Sequence, residues 1–362
     1  MKIILDGLIF ALQKQGGISV YWKELSMRAG YDSIDVDLIL YNVVNNSNQN
    51  EIEKLQDLRQ KIQKRKFFLP IWLTRFIPFI RSTGKAIFHS SYLNVVLSKN
   101  AINVITIHDL GYERGLTQTG FKRKIHLFFK YFTLRWASGF ICISEFTKNE
   151  FLSYYPFCEK KKIKVIYNGV SKCFYRKSKT SQIEFDENPF ILFVGTRYSY
   201  KRFSFLVNAL EQLTTYSLVI VGGGPLSDSE TLLLNKKLKK RYTHYSEVTD
   251  QALNDLYNSA HCLVYPSAYE GFGIPLVEAM RAGCPFIACR CGAIPEIVGD
   301  AGVLISADAS KNELMDAIQS LALPEKRINV IETGKRISDN YSWDKCYEQT
   351  KSFYKELFEK SK

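Results

Sequence analysis

The chain has 362 residues, more than one hydrophobic core usually organises, so the length predicts two domains. Hydrophobic residues make up 46% of the sequence and charged residues 23%, and this composition excludes an intrinsically disordered protein. The formal net charge of +13 indicates an anionic partner, which is a nucleic acid, a phospholipid surface or a phosphorylated substrate.

The cysteines and the apolar stretches indicate the cellular compartment of the protein. The eight cysteines lack the spacing of a zinc site, and we expect the close pair Cys289 and Cys291 to be structural. This usage suits a reducing cytosol. The first residues are typical of a strand and lack the features of a secretory signal. The longest apolar region, residues 67–80, is interrupted by two prolines and Arg75 and is too short to span a bilayer as a helix.

Short apolar runs that alternate with helical periods predict a parallel α/β fold in two Rossmann-like lobes. The expected strands of the first lobe are residues 2–5, 36–41, 86–89, 104–107 and 140–143. After the polar stretch 171–188 the pattern restarts, with expected strands at 190–194, 218–221, 262–265, 285–289 and 303–305. A last amphipathic helix begins near Trp343, and its apolar side must be buried against another element.

The most informative segment runs from Tyr265 to Met280 and joins a buried strand to a helix. Pro275 suits the first helical position, so the preceding loop leads into a helix N-terminus that can bind a diphosphate or sugar hydroxyls. Glu270 and Glu278 bracket this loop, and each can accept two hydrogen bonds from a vicinal diol, one of a ribose and one of a sugar. The alternative is a solvated Glu270 and a Glu278 that only stabilises its own helix.

The motif Tyr269-Glu-Gly-Phe-Gly-Ile-Pro-Leu-Val-Glu-Ala-Met, followed by Gly283-Cys-Pro and Gly292-Ala-Ile-Pro-Glu, resembles the paired-glutamate motif of retaining nucleotide-sugar glycosyltransferases of family four. The resemblance implies the GT-B fold, an α/β architecture of two Rossmann-like domains whose parallel sheets face each other across a cleft. It also implies that Glu270 acts on the donor sugar and that Glu278 holds the ribose. Further donor contacts implied by the resemblance are Phe272, Gly273 and Ile274 at the sugar, and Leu276 and Val277 under the diphosphate.

Three further places resemble the same family. Gly195 ends a strand, and Arg197 and Lys201 follow it on a loop from which two cations can reach a diphosphate leaving group; a solvated basic loop is the alternative. Gly17 lies in a Gly-Gly-Ile sequence that resembles the first glycine loop of the family. Val248 follows a segment where relatives hold the nucleobase, although Ser246 replaces a usual glycine.

His108 and Asp109 follow a strand of the first lobe, at the edge where doubly wound sheets place their ligands. The resemblance implies a sugar contact for His108 and a lesser role for Asp109. Ser144 resembles another family position but is equally suited to cap the next helix. The glycines of Val219-Ile-Val-Gly-Gly-Gly lack dinucleotide-binding spacing, which disfavours a dehydrogenase.

The resemblance implies an acceptor-binding domain of residues 1–172, a nucleotide-sugar-binding domain of residues 173–340, and a helix of residues 341–362 that returns to the first domain. The expected reaction is metal-independent transfer, with retention, from a GDP- or UDP-sugar to a glycan or lipid-linked oligosaccharide, without a further cofactor. The Gly-Gly-Ile and His-Asp-Leu sequences resemble bacterial surface-polysaccharide mannosyltransferases, including those that make lipopolysaccharide O-antigen, and favour GDP-mannose. A sugar-nucleotide epimerase or another nucleotide-sugar-binding enzyme of this fold is the main alternative. A nucleic-acid partner is not expected, because no recognition module is present.

Two stretches mix basic and aromatic residues, residues 59–85 and residues 121–136. This mixture is typical of an anionic membrane interface. We therefore expect a cytoplasmic protein that associates peripherally with the inner face of the membrane. A solvated basic surface over an ordinary core is the alternative.

Overall fold

The computed structural model describes residues 1–13, 16–41, 52, 61–65, 84–117, 119–177 and 189–361. The chain divides into two compact units. The first consists of residues 1–168 together with residues 343–362, and the second of residues 169–342.

The first unit is built on a parallel sheet of seven strands in the order β3-β2-β1-β4-β5-β6-β7. Its central strands are mostly apolar and are buried on both faces, as expected of a parallel sheet covered by helices. Its elements in chain order are β1 (Lys2–Asp6), α1 (Ile9–Leu12), α2 (Gly17–Tyr31), β2 (Asp35–Tyr41), β3 (Lys61–Arg65), β4 (Ala86–Ser90), β5 (Ala101–Ile107), α3 (Gly120–Trp136), β6 (Gly139–Cys142), α4 (Glu145–Tyr154) and β7 (Lys162–Val165).

The second unit is built on a parallel sheet of six strands in the order β10-β9-β8-β11-β12-β13. Its core lies where helices cover the central strands β8, β9, β11 and β12. Its elements are β8 (Phe190–Val194), α5 (Phe203–Leu210), β9 (Ser217–Val221), α6 (Asp228–Leu238), β10 (Tyr242–Tyr245), α7 (Asp250–Ser259), β11 (Cys262–Tyr265), α8 (Ile274–Ala282), β12 (Phe286–Cys289), α9 (Ile294–Val298), β13 (Val303–Ile305), α10 (Lys311–Ser320) and α11 (Pro324–Ser338).

The last helix, α12 (Trp343–Lys360), belongs to the first unit. Its apolar side is buried in one core cluster with Tyr21 and Trp22 of α2. Tyr354 of this helix lies 2.5 Å, from hydroxyl oxygen to Nδ1, from His89 at the end of β4. A buried polar contact therefore fixes the helix in addition to its aromatic packing.

The sequence-based fold class is confirmed: both sheets are parallel, and every expected strand is present within three residues of its expected bounds. Three further strands, β3, β7 and β10, were not predicted from the sequence. Each lies at the edge of its sheet and carries polar residues, so its apolar run is short.

In the part of the chain that the structure describes, no helix combines the length and apolar character needed to cross a bilayer. Residues 59–60 and 66–83 of the expected basic and aromatic stretch lie outside the described residues.

Candidate active site

The loop after β11 starts at the centre of the second sheet and leads into helix α8. Gly273 precedes this helix with a φ of 95°, a left-handed conformation that suits glycine, and Pro275 lies in the first turn. None of the described side chains caps this helix start. The first-turn N–H groups and the positive end of the helix dipole are therefore suited to an anionic or hydroxylated ligand.

The backbone of this loop packs closely against Gly292. Gly292 has a φ of 54°, and a Cβ added to it would lie 2.3 Å from the carbonyl oxygen of Glu270. The next residue, Ala293, donates its N–H to the same oxygen at 3.0 Å. Glycine is thus required here because the backbone of Glu270 approaches too closely for any side chain.

Lys201 and Glu270 form an ion pair at the carboxyl edge of the sheet. The Nζ atom of Lys201 lies 2.5 Å from Oε1 of Glu270 and donates to the hydroxyl of Tyr265 at 3.2 Å. Burial, with the charge of Glu270 beside it, raises the pKa of Tyr265 well above its ordinary value, so this hydroxyl stays protonated. The three side chains join the loop after β8 to the loop after β11.

Glu278 has a different environment, although it lies on the helix that the same loop enters. The hydroxyl of Tyr257 donates to Oε2 of Glu278 at 3.0 Å. Burial raises the pKa of Glu278 to about 7, and the hydrogen bond from Tyr257 opposes this shift only in part. Glu278 therefore changes its charge near neutral pH.

Arg197 has partners other than Lys201 and Glu270. Its side chain is only 4% exposed, and its Nε donates to Glu230 at 2.7 Å. The other guanidinium nitrogens donate to the carbonyl oxygens of all four residues of the loop 222–225, at 2.6 to 3.3 Å. Arg197 thus fixes the glycine-rich loop after β9, because a planar guanidinium fork can bind several carbonyl groups at once.

Gly195 follows β8 and lies beside the loop 222–225 that Arg197 binds. It has a φ of 126°, and a Cβ added to it would meet no described atom within 4 Å. A ligand can therefore approach the backbone at Gly195. Val248 lies after β10 at the edge of the same sheet, just before Thr249, which caps α7.

Three of the predicted donor contacts, Phe272, Leu276 and Val277, have buried side chains. Leu276 and Val277 are fully buried, and Phe272 packs edge-on against Tyr341 with ring centroids 5.7 Å apart. Any contact of these residues with a ligand is therefore made by the backbone, while their side chains form the core that supports the helix start.

In the first unit, His108 follows β5 and packs edge-on against Tyr21, with ring centroids 5.0 Å apart. Its Nε2 atom is buried without a hydrogen-bond partner among the described residues. Burial lowers the pKa of His108 to about 3, so the imidazole is neutral at physiological pH. A neutral imidazole can donate to or accept from a hydroxyl group.

The other predicted residues of the first unit have local roles in the structure. Gly17 begins α2, and the amide of Gln13 accepts from the N–H of Ser19 in the first turn of that helix. Asp109 accepts from the N–H of Gly111 at 2.9 Å. Ser144 caps α4 by accepting from the N–H of Thr147 at 3.0 Å, which was the alternative considered for it.

Sequence reasoning missed Tyr257, Tyr265 and Glu230, the partners of the predicted site residues. Both tyrosines are buried, and no local pattern assigns either of them a role, so only the tertiary structure identifies their contacts. Among the described residues, no group of three or more His, Cys, Asp or Glu side chains is placed to hold a metal ion.

Two family models match the chain. Residues 175–337 match "Glycosyl transferases group 1", and residues 15–172 match "Glycosyltransferase Family 4". The chain therefore belongs to the glycosyltransferases of family four, with the GT-B fold.

Among characterised and uncharacterised relatives, an uncharacterized glycosyltransferase of Methanocaldococcus jannaschii is 29% identical over 77% of each chain. O-antigen chain mannosyltransferase B of Escherichia coli is 33% identical over 46% of each chain, less than half of its length. O-antigen chain mannosyltransferase RfbU of Salmonella typhimurium is 26% identical over 67% of this chain and 66% of its own.

Solved structures with similar folds include sucrose-phosphate synthase from Thermosynechococcus elongatus, with a TM-score of 0.75, 23% identity and 99% of each chain covered. The Anabaena protein HepE, solved in complex with UDP-glucose, has a TM-score of 0.73 at 17% identity and covers 98% of this chain and 99% of its own. At these identities the likeness concerns the fold.

Proposed function

We propose that this glycosyltransferase transfers mannose from GDP-mannose to a glycan or lipid-linked oligosaccharide in the synthesis of a bacterial surface polysaccharide. The observation that carries the proposal is the ion pair of Glu270 and Lys201 on the loops beside one uncapped helix start, with Glu278 on the same helix. The names of two relatives, both O-antigen chain mannosyltransferases, support the choice of sugar and acceptor.

In the proposed reaction, the bond between the anomeric carbon and the phosphate oxygen breaks, and a bond from the same carbon to an acceptor hydroxyl oxygen forms on the same face. Because the bond breaks and forms on the same face, the configuration is retained, and the proton of the acceptor hydroxyl passes to the departing phosphate oxygen. Lys201 and the N-terminus of α8 stabilise the negative charge of the leaving diphosphate. Glu270 binds sugar hydroxyls while positive charge develops on the ring.

Glu278 binds the ribose diol, and the backbone at Gly195 and Gly273 approaches the diphosphate. His108 is proposed to contact the sugar as a neutral imidazole, which suits a hydroxyl partner better than a charged one. The reaction is proposed to need neither a divalent ion nor a cofactor besides the nucleotide sugar. The enzyme is proposed to act at the cytoplasmic face of the membrane as a peripheral protein.

Calorimetric titration with GDP and UDP, with and without EDTA, tests the nucleotide and the metal independence. We expect GDP to bind more tightly than UDP, with the same affinity in EDTA. A preference for UDP, as the ligand of HepE suggests for that protein, would overturn the choice of base.

Incubation of GDP-mannose with a lipid-linked oligosaccharide, followed by NMR of the product anomeric proton, tests the reaction. An α-linked product, which has the donor's configuration, is expected. A β-linked product would contradict retention, and conversion of the donor without an acceptor would indicate an epimerase instead.

A further inference from the structure

Helix α3 exposes aromatic residues and buries mainly polar ones. Its buried residues are His126, Lys130, Thr133 and Leu134, of which only Leu134 is apolar. Its exposed side carries five large aromatic residues whose side chains are 42% to 76% exposed: Phe121, Phe128, Tyr131, Phe132 and Trp136. Their spacing of three, four and seven residues places them on one side of the helix, which we call the aromatic face.

Polar contacts on the buried side fix this orientation. The ammonium group of Lys130 lies 2.7 Å from Glu113, which also accepts from the hydroxyl of Tyr155 at 2.7 Å. The imidazole of His126 stacks on Tyr112 with ring centroids 3.5 Å apart. The helix cannot rotate to bury its aromatic face without breaking this buried ion pair, which is costly.

Both ends of α3 are fixed as well. Near its start, Arg123 donates to the carbonyl oxygens of Tyr112 and Glu113, both at 2.6 Å. At its end, Lys161 donates to the carbonyl oxygens of Leu134, Arg135 and Ala137, at 2.6 to 2.9 Å. The aromatic face is therefore held rigidly at the surface of the first unit.

The charges beside the aromatic face have one sign. The sequence contains no Asp or Glu between Glu113 and Glu145. Lys122, Lys124 and Arg135 are exposed, and the guanidinium of Arg135 lies over the ring of Tyr131 at 5.9 Å. Aromatic rings flanked by exposed cations match the boundary of an anionic bilayer, where the rings enter the headgroup region and the cations meet lipid phosphates.

We propose that the aromatic face of α3 docks this protein on an anionic phospholipid membrane. A second copy of the chain is a poorer occupant, because its own Lys and Arg residues would meet like charges across the interface. The inference deepens the proposed function, since a lipid-linked acceptor requires an enzyme at the membrane. It concerns a surface of the first unit and does not depend on which sugar is transferred.

Flotation of the full chain with vesicles tests the proposal without any donor or acceptor. We expect binding to vesicles of phosphatidylglycerol and phosphatidylcholine, weak binding to phosphatidylcholine alone, and loss of binding at high salt. Phe121→Ser with Phe128→Ser should weaken the binding at least about tenfold. The matched control is Leu232→Ser, which changes a 71% exposed apolar residue of the second unit and should leave binding unchanged.

Trp136 provides a second measurement. Its fluorescence should shift to shorter wavelength on binding the anionic vesicles, and the shift should be absent from Trp136→Phe. Titration with GDP separates this inference from the proposed function, because the double variant should keep the nucleotide affinity of the wild type.

Equal flotation of the double variant and the wild type, or equal binding to neutral and anionic vesicles, would overturn the proposal. Light scattering measures the oligomeric state and so tests the alternative that a second copy of the chain covers the aromatic face. A dimer of the wild type that the double variant loses, without vesicle binding, would assign the aromatic face to contacts between copies of the chain.

Discussion

Glu270 lies on the loop that leads into α8 and Glu278 lies within that helix, yet their environments differ in kind. Glu270 is paired with the ammonium group of Lys201, whereas Glu278 faces the neutral hydroxyl of Tyr257 and has a pKa raised by burial to about 7. The paired cation suits a place where charge develops during reaction, and the neutral surroundings suit an uncharged diol. Two glutamates of one motif are therefore expected to perform separate tasks.

The largest expected effect belongs to Lys201, the residue that distinguishes the two environments. Lys201→Met removes the cation beside Glu270 and should lower turnover about a hundredfold to a thousandfold, as loss of a transition-state donor does. Initial-rate kinetics with GDP-mannose measure this change in turnover. Lys237→Met is the control, since it breaks another lysine–glutamate pair of the second unit, with Glu211 at 2.8 Å, and should leave turnover within twofold. Equal turnover of Lys201→Met and the control would remove Lys201 from the reaction.

Glu270→Gln should lower turnover about tenfold to a hundredfold, because it weakens hydrogen bonds that strengthen as the sugar becomes positive. The affinity for GDP should stay within about twofold, since GDP lacks the sugar. Calorimetry of GDP and kinetics of transfer, on the same preparation, give both quantities. A large loss of GDP affinity with unchanged turnover would reverse the assignment of the two glutamates.

Glu278→Gln should do the opposite and weaken GDP binding about tenfold, with a similar change in the Michaelis constant and little change in turnover. Contacts to the ribose are made equally in the ground and transition states, so their loss does not slow the chemical step. The hydroxyl of Tyr257 can still donate to the glutamine, so the fold is retained. Unchanged GDP affinity would show that Glu278 is no ribose ligand.

The sequence was sufficient for those features that a local pattern encodes. Strands such as β11 and β12 are continuous apolar runs, and Pro275 with Gly273 marks the start of α8. The edge strands β3, β7 and β10 lack such a run. A sheet edge needs fewer apolar residues than its centre, and only the pairing with a neighbouring strand identifies it.

Arg197 and Lys201 show where sequence reasoning reaches its limit within the site. Both lie on one loop, and a local pattern gives them the same task. The structure directs Arg197 to the carbonyl oxygens of residues 222–225, and it directs Lys201 to Glu270. These partners are remote in sequence, so the choice between them is a property of the tertiary fold.

The smallest expected effect is a pH dependence that only the Glu278 environment should show. The carboxylate accepts hydrogen bonds from the ribose in two directions, whereas the protonated acid gives up part of this capacity, so binding favours the charged form. With a pKa of about 7 in the free protein, Glu278 is mostly charged at about pH 8 and mostly protonated at about pH 6. The affinity for GDP-mannose should therefore fall as the pH falls across this window, by at most about tenfold.

GDP-mannose is the proper ligand, because both its phosphates are diesters and do not titrate near neutrality, unlike the terminal phosphate of GDP. Calorimetric titrations across the window should give a sloping profile for the wild type and for Glu270→Gln, and a flat one for Glu278→Gln. A wild-type profile as flat as that of Glu278→Gln would mean that the charge of Glu278 is not coupled to donor binding, and the contrast between the two glutamates would then rest on Lys201 alone.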